Sequence, residues 1–512
     1  MKYLFICSIL LLAACTPQEQ YPPFEEEVSG LFDPSLKPFY HGVASGDPTN
    51  SAVVIWTRVT PEDSLPLVEV KWEISTDQTF SNVIQDGDFT TDPSRDYTVK
   101  IDVSGLESGF QYYYRFRALG ATSVVGKTKT APQDPTEVNL AVVSCSNYEF
   151  GYFNAYGDIA SKTEIDAVVH LGDYIYEYGP GIYGDTTIGR LNLPAKEIIT
   201  LQDYRTRYSL YRLDKDLRNA HTNHPFINIW DDHEIANDSY KDGAQNHQEE
   251  EGSYEARKNA AVQVYYEWLP IRENGDLYRS FKYGNLMELI MLDERLEGRT
   301  APVDSLTDPS LADTDRSMLG GEQLSWLKEK LSKTTSTWKV IGNQVIFSYL
   351  NWGYEPNFTI NLDSWDGYPA EQQEIANFIR SQEIDNVVFV TGDTHSSWAF
   401  EVSVDPFSDY NAESGEGAIA VEFGTTSINS SNSNERFDDE MVMAHEEKIV
   451  NSSINPHLKY ANLRDHGYLL LNVTEEKAMA SWYYVETLKE PNLATALGKE
   501  LYVLNGETTL KE

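Results

Sequence analysis

Hydrophobic and polar positions follow two different rhythms along this chain. Between residues 40 and 132 they alternate in short runs, SAVVIWTRV (51–59), VEVKWEIS (68–75), YTVKIDVSGL (97–106) and QYYYRFRAL (111–119), punctuated by the turn signals GDPTN, DPSRD and GLESG. Short segments of period two, rich in Val, Tyr, Thr and Trp, mark strands, and no helical stretch intervenes. The region predicts a small all-β sandwich over 37–132, serving as a scaffold.

From Val138 the rhythm changes. Apolar strand-like runs, VNLAVVS (138–144), IDAVVHL (165–171), HPFINIW (224–230), LMELIML (286–292), TWKVIGN (337–343), NVVFVTG (386–392) and GAIAVEF (417–423), come interleaved with segments of helical periodicity. Those segments cover 201–220, 253–270, 321–333 and 369–382. Residues 133–512 therefore predict an α/β domain. A closing pair, GYLLLNV (467–473) and AMASWYYVE (478–486), reads as a β-hairpin and makes the sheet mixed.

The first fifteen residues match neither rhythm. MKYLFICSILLLAAC has one lysine, an apolar stretch too short to span a bilayer, and small residues ending at Cys15, the order of a secretory signal peptide. Leu-Ala-Ala-Cys resembles a bacterial lipobox, in which Cys15 would be lipidated and become the first residue of the mature chain. Residues 16–36, rich in Pro and Glu with little periodicity, read as a flexible tether. The expected location is the bacterial cell envelope, whether periplasm, outer membrane or cell surface, with the lipid as the only membrane attachment.

Charge and cysteine usage narrow the picture. Asp and Glu number 80 against 40 Lys and Arg, a net charge of −40, which argues against nucleic-acid binding and favours hard cations. Of three cysteines, Cys7 leaves with the signal peptide and Cys15 carries lipid, so only Cys145 stays in the folded body. An exported chain that keeps one unpaired thiol protects it by burial or by a metal.

Polar groups able to bind metal gather just past the ends of the predicted strands: Cys145 and Asn147, then Asp173, Tyr174 and Tyr176, then Asp231, Asp232 and His233, then Asn343 and Gln344, and finally Asp393 and His395. Ligands of α/β sheets bind outside the carboxyl ends of strands, so five strands would deliver these groups to one cleft. The tyrosine-rich stretch YEYGPGIYGD (176–185) either lines that cleft or packs as an aromatic loop.

The motifs SCSN (144–147), GDYIYEYG (172–179), DYRTRYSLYR (203–212), WDDHEIAND (230–238), LDER (292–295), GNQV (342–345) and GDTHSS (392–397) resemble those of the PhoD-like alkaline phosphatase D family of the metallophosphoesterase superfamily. The stretch HGVASGDPTNSAVVIWTRV from His41 is similar to that family's N-terminal domain. The resemblance implies an α/β/β/α catalytic domain behind the sandwich, and two metal sites sharing Asp173. Cys145, Tyr176 and His395 would complete the first site; Asp232, Asn343 and Asp393 would complete the second. His233 would contact the phosphoryl group, and Asp173 and Asp232 would join it as catalytic groups through the metals.

On that ligand set, thiolate, phenolate, imidazole and carboxylate suit Fe³⁺, with Zn²⁺ the runner-up. The all-oxygen set favours Ca²⁺ over Mg²⁺ or Mn²⁺. Arg205 and Arg295 are candidate phosphate contacts, each with a structural ion pair as the competing role. The implied activity is hydrolysis of phosphomonoesters or phosphodiesters by metal-activated water. Substrates would be small phosphate esters or envelope phosphodiesters such as lipid or polymer head groups. A catalytically silent calcium-binding surface module is the rival from another class.

Overall fold

The computed structural model describes residues 21–273, 275–354 and 359–512. The signal peptide, the proposed lipid site at Cys15 and the first residues of the tether lie outside the described residues.

Two sheets form the body. The larger has nine strands in the order 495–504, 477–485, 467–474, 137–143, 167–170, 225–228, 43–46, 52–58 and 98–104. The smaller has seven, ordered 279–283, 287–291, 338–343, 387–391, 418–424, 397–403 and 458–462. Both are mixed, and in both the central strands run parallel. Their registers bring the carboxyl ends level: Val143 faces His170, His170 faces Asn228, and Asn343 faces Thr391.

Alternation within single strands shows how the layers stack. Val340, Val388 and Val390 share one core with Leu140, Val142, Leu469 and Leu471 of the other sheet. Their neighbours Ile341, Val387 and Phe389 point the opposite way, into a core with Leu327, Leu331, Ile375 and Ile379 from the helices Gly320–Lys333 and Pro369–Ser381. Both faces of these strands are buried, which is why they read as continuous apolar runs. The result is the expected order of helices, sheet, sheet and helices.

The N-terminal region is a sandwich, but not a free-standing one. One of its sheets comprises 83–91, 68–75, 111–118 and 121–122, with 126–129 pairing beside it. The other, 43–46, 52–58 and 98–104, is the edge of the nine-stranded sheet, joined where Val43–Gly46 pairs in parallel with Pro225–Asn228. One sheet thus runs through the domain division expected near residue 132.

The tether also differs from expectation. From Pro22 onward the chain packs against the body: Phe24 N donates to the Glu62 carbonyl and its ring lies 5.3 Å from Tyr97, Glu27–Leu31 and Pro34–Leu36 form short 3-10 turns, and Val28 is buried. The cause is Arg58, fully buried and needing two counter-charges, which it finds in Glu26 and Asp96. One valine and one ion pair leave no periodicity to read in the sequence.

The amphipathic run 201–220 is two helices, Leu201–Arg212 and Lys215–Asn223. Asp214 separates them because its carboxylate caps the second, accepting from the amides of Asp216 and Leu217.

Candidate metal centre

Loops at the carboxyl ends of the central strands carry the candidate ligands, and their backbones are strained. Cys145 (φ 59°), Asp173 (56°), Asp393 (64°) and His395 (61°) all lie in the left-handed region, which costs a residue other than glycine about 1–2 kcal/mol. Strain of this kind persists where surrounding structure holds it for function. Between two of these loops Gly172 (φ 111°) is obligatory, because a Cβ there would come within 2.3 Å of Asp231 Cβ.

Three groups from three strand ends converge first: ligand atoms of Cys145, Asp173 and His395 lie within 4.8 Å of one another. Tyr176 joins them, its hydroxyl 3.0 Å from Asp173 Oδ2 and 3.2 Å from His395 Nε2. Ser430 Oγ lies 2.8 Å from that same hydroxyl and 2.8 Å from the Cys145 carbonyl. His395 Nδ1 is 2.8 Å from the Ser431 carbonyl, so this nitrogen carries the proton and Nε2 is left as a donor of electrons.

Carboxylates form the second grouping. Asp231, Asp232 and Asp393 meet within the same 4.8 Å limit, as do Asp173, Asp232 and His233, and Asp232, Asp238 and Asp363. Asp173 and Asp232 are therefore the links between groupings. Arg295 lies fully buried among them: Nε donates to Asp231, Nη1 to Asp363 at 2.7 Å, and Nη2 sits 3.6 Å from Asp393 and 4.0 Å from Asp232.

The electrostatics ask for positive charge. Burial, reinforced by Asp173, pushes the Cys145 thiol well above its ordinary value. Burial likewise raises Asp173 and Asp393. For Asp232 burial works upward too, yet His233 and Arg295 hold it down at about 2. Even with Arg295 in place, Asp232 Oδ1 and Asp231 Oδ2 are buried without a hydrogen-bond partner among the described residues. Unpaired buried carboxylate oxygens are costly, and a cation satisfies them. The thiol, phenol and imidazole set fits a transition metal, and the oxygen set fits a hard divalent ion.

His233 is oriented by a residue that sequence reasoning passed over. Its Nδ1 is 2.7 Å from Glu177 Oε2, and Glu177, fully buried, also accepts from the Asn237 amide and Asn246 Nδ2. This leaves His233 Nε2 with no hydrogen bond among the described residues. Glu234 is a second omission: it accepts from the amides of Asp173, Tyr174 and Asp231, tying two ligand loops together. Glu294 does the same for the amides of Gln344 and Val345 and for the Trp365 indole. Burial raises both carboxyls to about 8. Each sits inside a quoted motif, GDYIYEYG, WDDHEIAND or LDER, and that placement was the available signal.

Two of the expected site residues have hydrogen-bond partners outside the carboxylate groupings. Arg205 pairs with Glu267 and donates to the carbonyls of Pro93 and Ser94, fastening a helix to the sandwich. This is the structural ion pair weighed as its competing role. Asn343 is held by Val345 and the Trp365 indole and makes no hydrogen bond to the clustered carboxylates. Cys145, Asp173, Tyr176, Asp232, Asp393 and His395 are brought together, with His233 beside them.

Imidazoles, carboxylates and a thiol converging at the strand ends of two stacked sheets form a donor set suited to bound metal. Residues 140–482 match the PhoD-like phosphatase family, and residues 28–132 match the PhoD-like phosphatase N-terminal domain. Alkaline phosphatase D of Bacillus subtilis (strain 168) is 36% identical, over 95% of this chain and 84% of its own length. A solved structure of PhoD superposes with a TM-score of 0.83 at 34% identity, covering 94% of this chain and 92% of the other. The chain belongs to the PhoD-like phosphatases. That membership sets aside the silent calcium-binding module.

Proposed function

We propose that the chain is an exported, lipid-anchored phosphoesterase of the bacterial envelope, with iron held by Cys145, Asp173, Tyr176 and His395 and calcium held among Asp173, Asp232 and Asp393. The observation that carries this reading is the division of donors: a thiol, a phenol and an imidazole on one side of Asp173, and the carboxylates of Asp231, Asp232 and Asp393, with His233 beside them, on the other. Asn343 stays in the calcium set as a proposal, since its carbonyl oxygen has a second lone pair beside the bond from Trp365.

When bound, the ions would supply Lewis-acid polarisation of the phosphoryl group and activation of water. The chain's own groups do the rest. Glu177 fixes the His233 ring so that Nε2 meets a phosphoryl oxygen or delivers a proton to the leaving alkoxide. Arg295, locked to Asp231 and Asp363, offsets the repulsion among the carboxylates and, after His233, helps keep Asp232 ionised. Glu234 and Glu294 keep the ligand loops in register.

Substrates are small phosphate esters or envelope phosphodiesters, since a surface of charge −40 repels long polyanions. The test compares aryl phosphate monoester and diester hydrolysis by the metal-loaded enzyme with and without chelator. Chelator-sensitive turnover of either ester supports the reading; turnover indifferent to chelator removes it.

A further inference from the structure

One cleft beside the metal centre plays no part in the chemistry above. It encloses about 640 Å³, and Asp393 and His395 reach it from the site. Its walls are aromatic: Tyr183, Trp352, Tyr354 and Phe437. Tyr183 lies 6.3 Å from His395 with the rings 27° apart, so the lining begins at a ligand. Tyr354 stacks on His445 at 4.1 Å and lies 6.3 Å from Phe437, with the two planes 21° apart. Phe437 remains 47% exposed, a large ring left facing the cleft and solvent.

Arg436 sits next to that ring. It is the single Lys or Arg among the described residues lining the cleft, and it takes no part in an ion pair among the described residues. In a chain with 80 acidic against 40 basic side chains, an uncommitted cation at a cleft mouth creates a local attraction for anions that the remaining surface opposes. Near-parallel aromatic faces accept a flat ring in the same manner as they accept one another. Ser396, Asn432 and Ser433 add hydroxyl and amide groups between the aromatic wall and His395.

We propose that this cleft is the leaving-group subsite, selecting phosphate esters whose alcohol carries a planar ring and a second negative charge, the ring against Tyr354 and Phe437 and the charge at Arg436. The proposal rests on the phosphoesterase reading of the adjoining site. The reaction is ordinary hydrolysis: the bond from phosphorus to the alcohol oxygen breaks, water supplies the new oxygen on phosphorus, and a proton passes to the departing alkoxide.

The test measures kcat/KM of the metal-loaded enzyme on phenyl phosphate, 4-carboxyphenyl phosphate and glycerol phosphate, for wild type, Arg436→Ala, Arg436→Lys and Phe437→Ala. Phenols leave more easily than alkyl alcohols, so the ratio of variant to wild type on each substrate is the quantity read. Arg436→Ala should lower the carboxyphenyl ester about tenfold, the scale of one charge-assisted hydrogen bond, and leave the other two within about twofold. Arg436→Lys should recover part of that loss. Phe437→Ala should lower both ring esters about threefold or more and spare glycerol phosphate. Equal losses on all three esters, or an undiminished carboxyphenyl ester in Arg436→Ala, overturn the proposal. Wild-type enzyme inert on every ester would instead overturn the reading on which it rests.

Discussion

The Tyr176 hydroxyl lies 3.0 Å from Oδ2 of Asp173, three positions earlier in the same buried loop. Asp173 stands in left-handed backbone, and this conformation turns its carboxylate toward both the thiol of Cys145 and the carboxylate of Asp232. One phenol and one strained aspartate thus sit at the junction of the soft-donor and oxygen-donor groupings.

Tyr176→Phe removes an oxygen donor while keeping the ring that lies 4.2 Å from the His233 ring. With iron bound as proposed, the visible absorption band from the phenolate should be lost and kcat/KM should fall about tenfold or more, as with loss of other groups around bound metals. Unchanged absorption and kinetics would remove Tyr176 from the ligand set.

Glu177→Gln keeps the shape but withdraws the charge that fixes His233. The variant should fold normally, lose about tenfold or more in kcat, and show a shifted limb in its pH–rate profile, the last of which a purely structural role would not produce. Stability and pH profile measured together decide the matter.

Arg205→Ala tests the ion-pair role of that residue. Breaking its buried pair with Glu267 should destabilise the protein by about 3 kcal/mol, because Glu267 is left with an uncompensated charge. Kinetic constants of the folded variant should stay close to wild type. A specific rise in KM at unchanged stability would restore Arg205 to the phosphate.

Much of this was legible in the sequence, and the exceptions share a cause. Both cores follow from apolar runs, and the candidate ligands stood out because each follows such a run. Glu234 and Glu294 were passed over because a carboxylate that accepts main-chain amides carries no sequence signature beyond its position in a motif. For Arg205 the two roles stayed open because its partner, Glu267, lies 62 residues away on another helix. The strand Thr495–Leu504 escaped notice because it is an edge with one exposed face, and the helix Asp439–Ile449 because it buries only Val442, Glu446 and Ile449.

Buried histidines outside the site predict an acid limit to stability. Burial lowers His170 to about 3 and His224 and His457 to about 4. Each is neutral in the fold, whereas the unfolded chain takes up a proton near pH 6.5, so stability is complete above that pH and declines as pH falls toward 4. Each contributes about 1.4 kcal/mol per pH unit to the decline. His224, bonded to the Ile159 carbonyl at 2.9 Å, is the test position. Urea unfolding of His224→Gln between pH 6.5 and 4.5 should show a slope shallower than wild type by about that amount, and an equal slope would refute the assignment.

Cys145 carries the central proposal, that this buried thiol is held by a metal. The decisive measurement is metal content and visible absorption of the purified chain without its first fifteen residues, wild type beside Cys145→Ser. The account predicts a coloured wild type holding iron and calcium, and a folded variant that loses the iron, the colour and the hydrolysis of phosphate esters. A Cys145→Ser protein that retains iron, colour and full activity would contradict it.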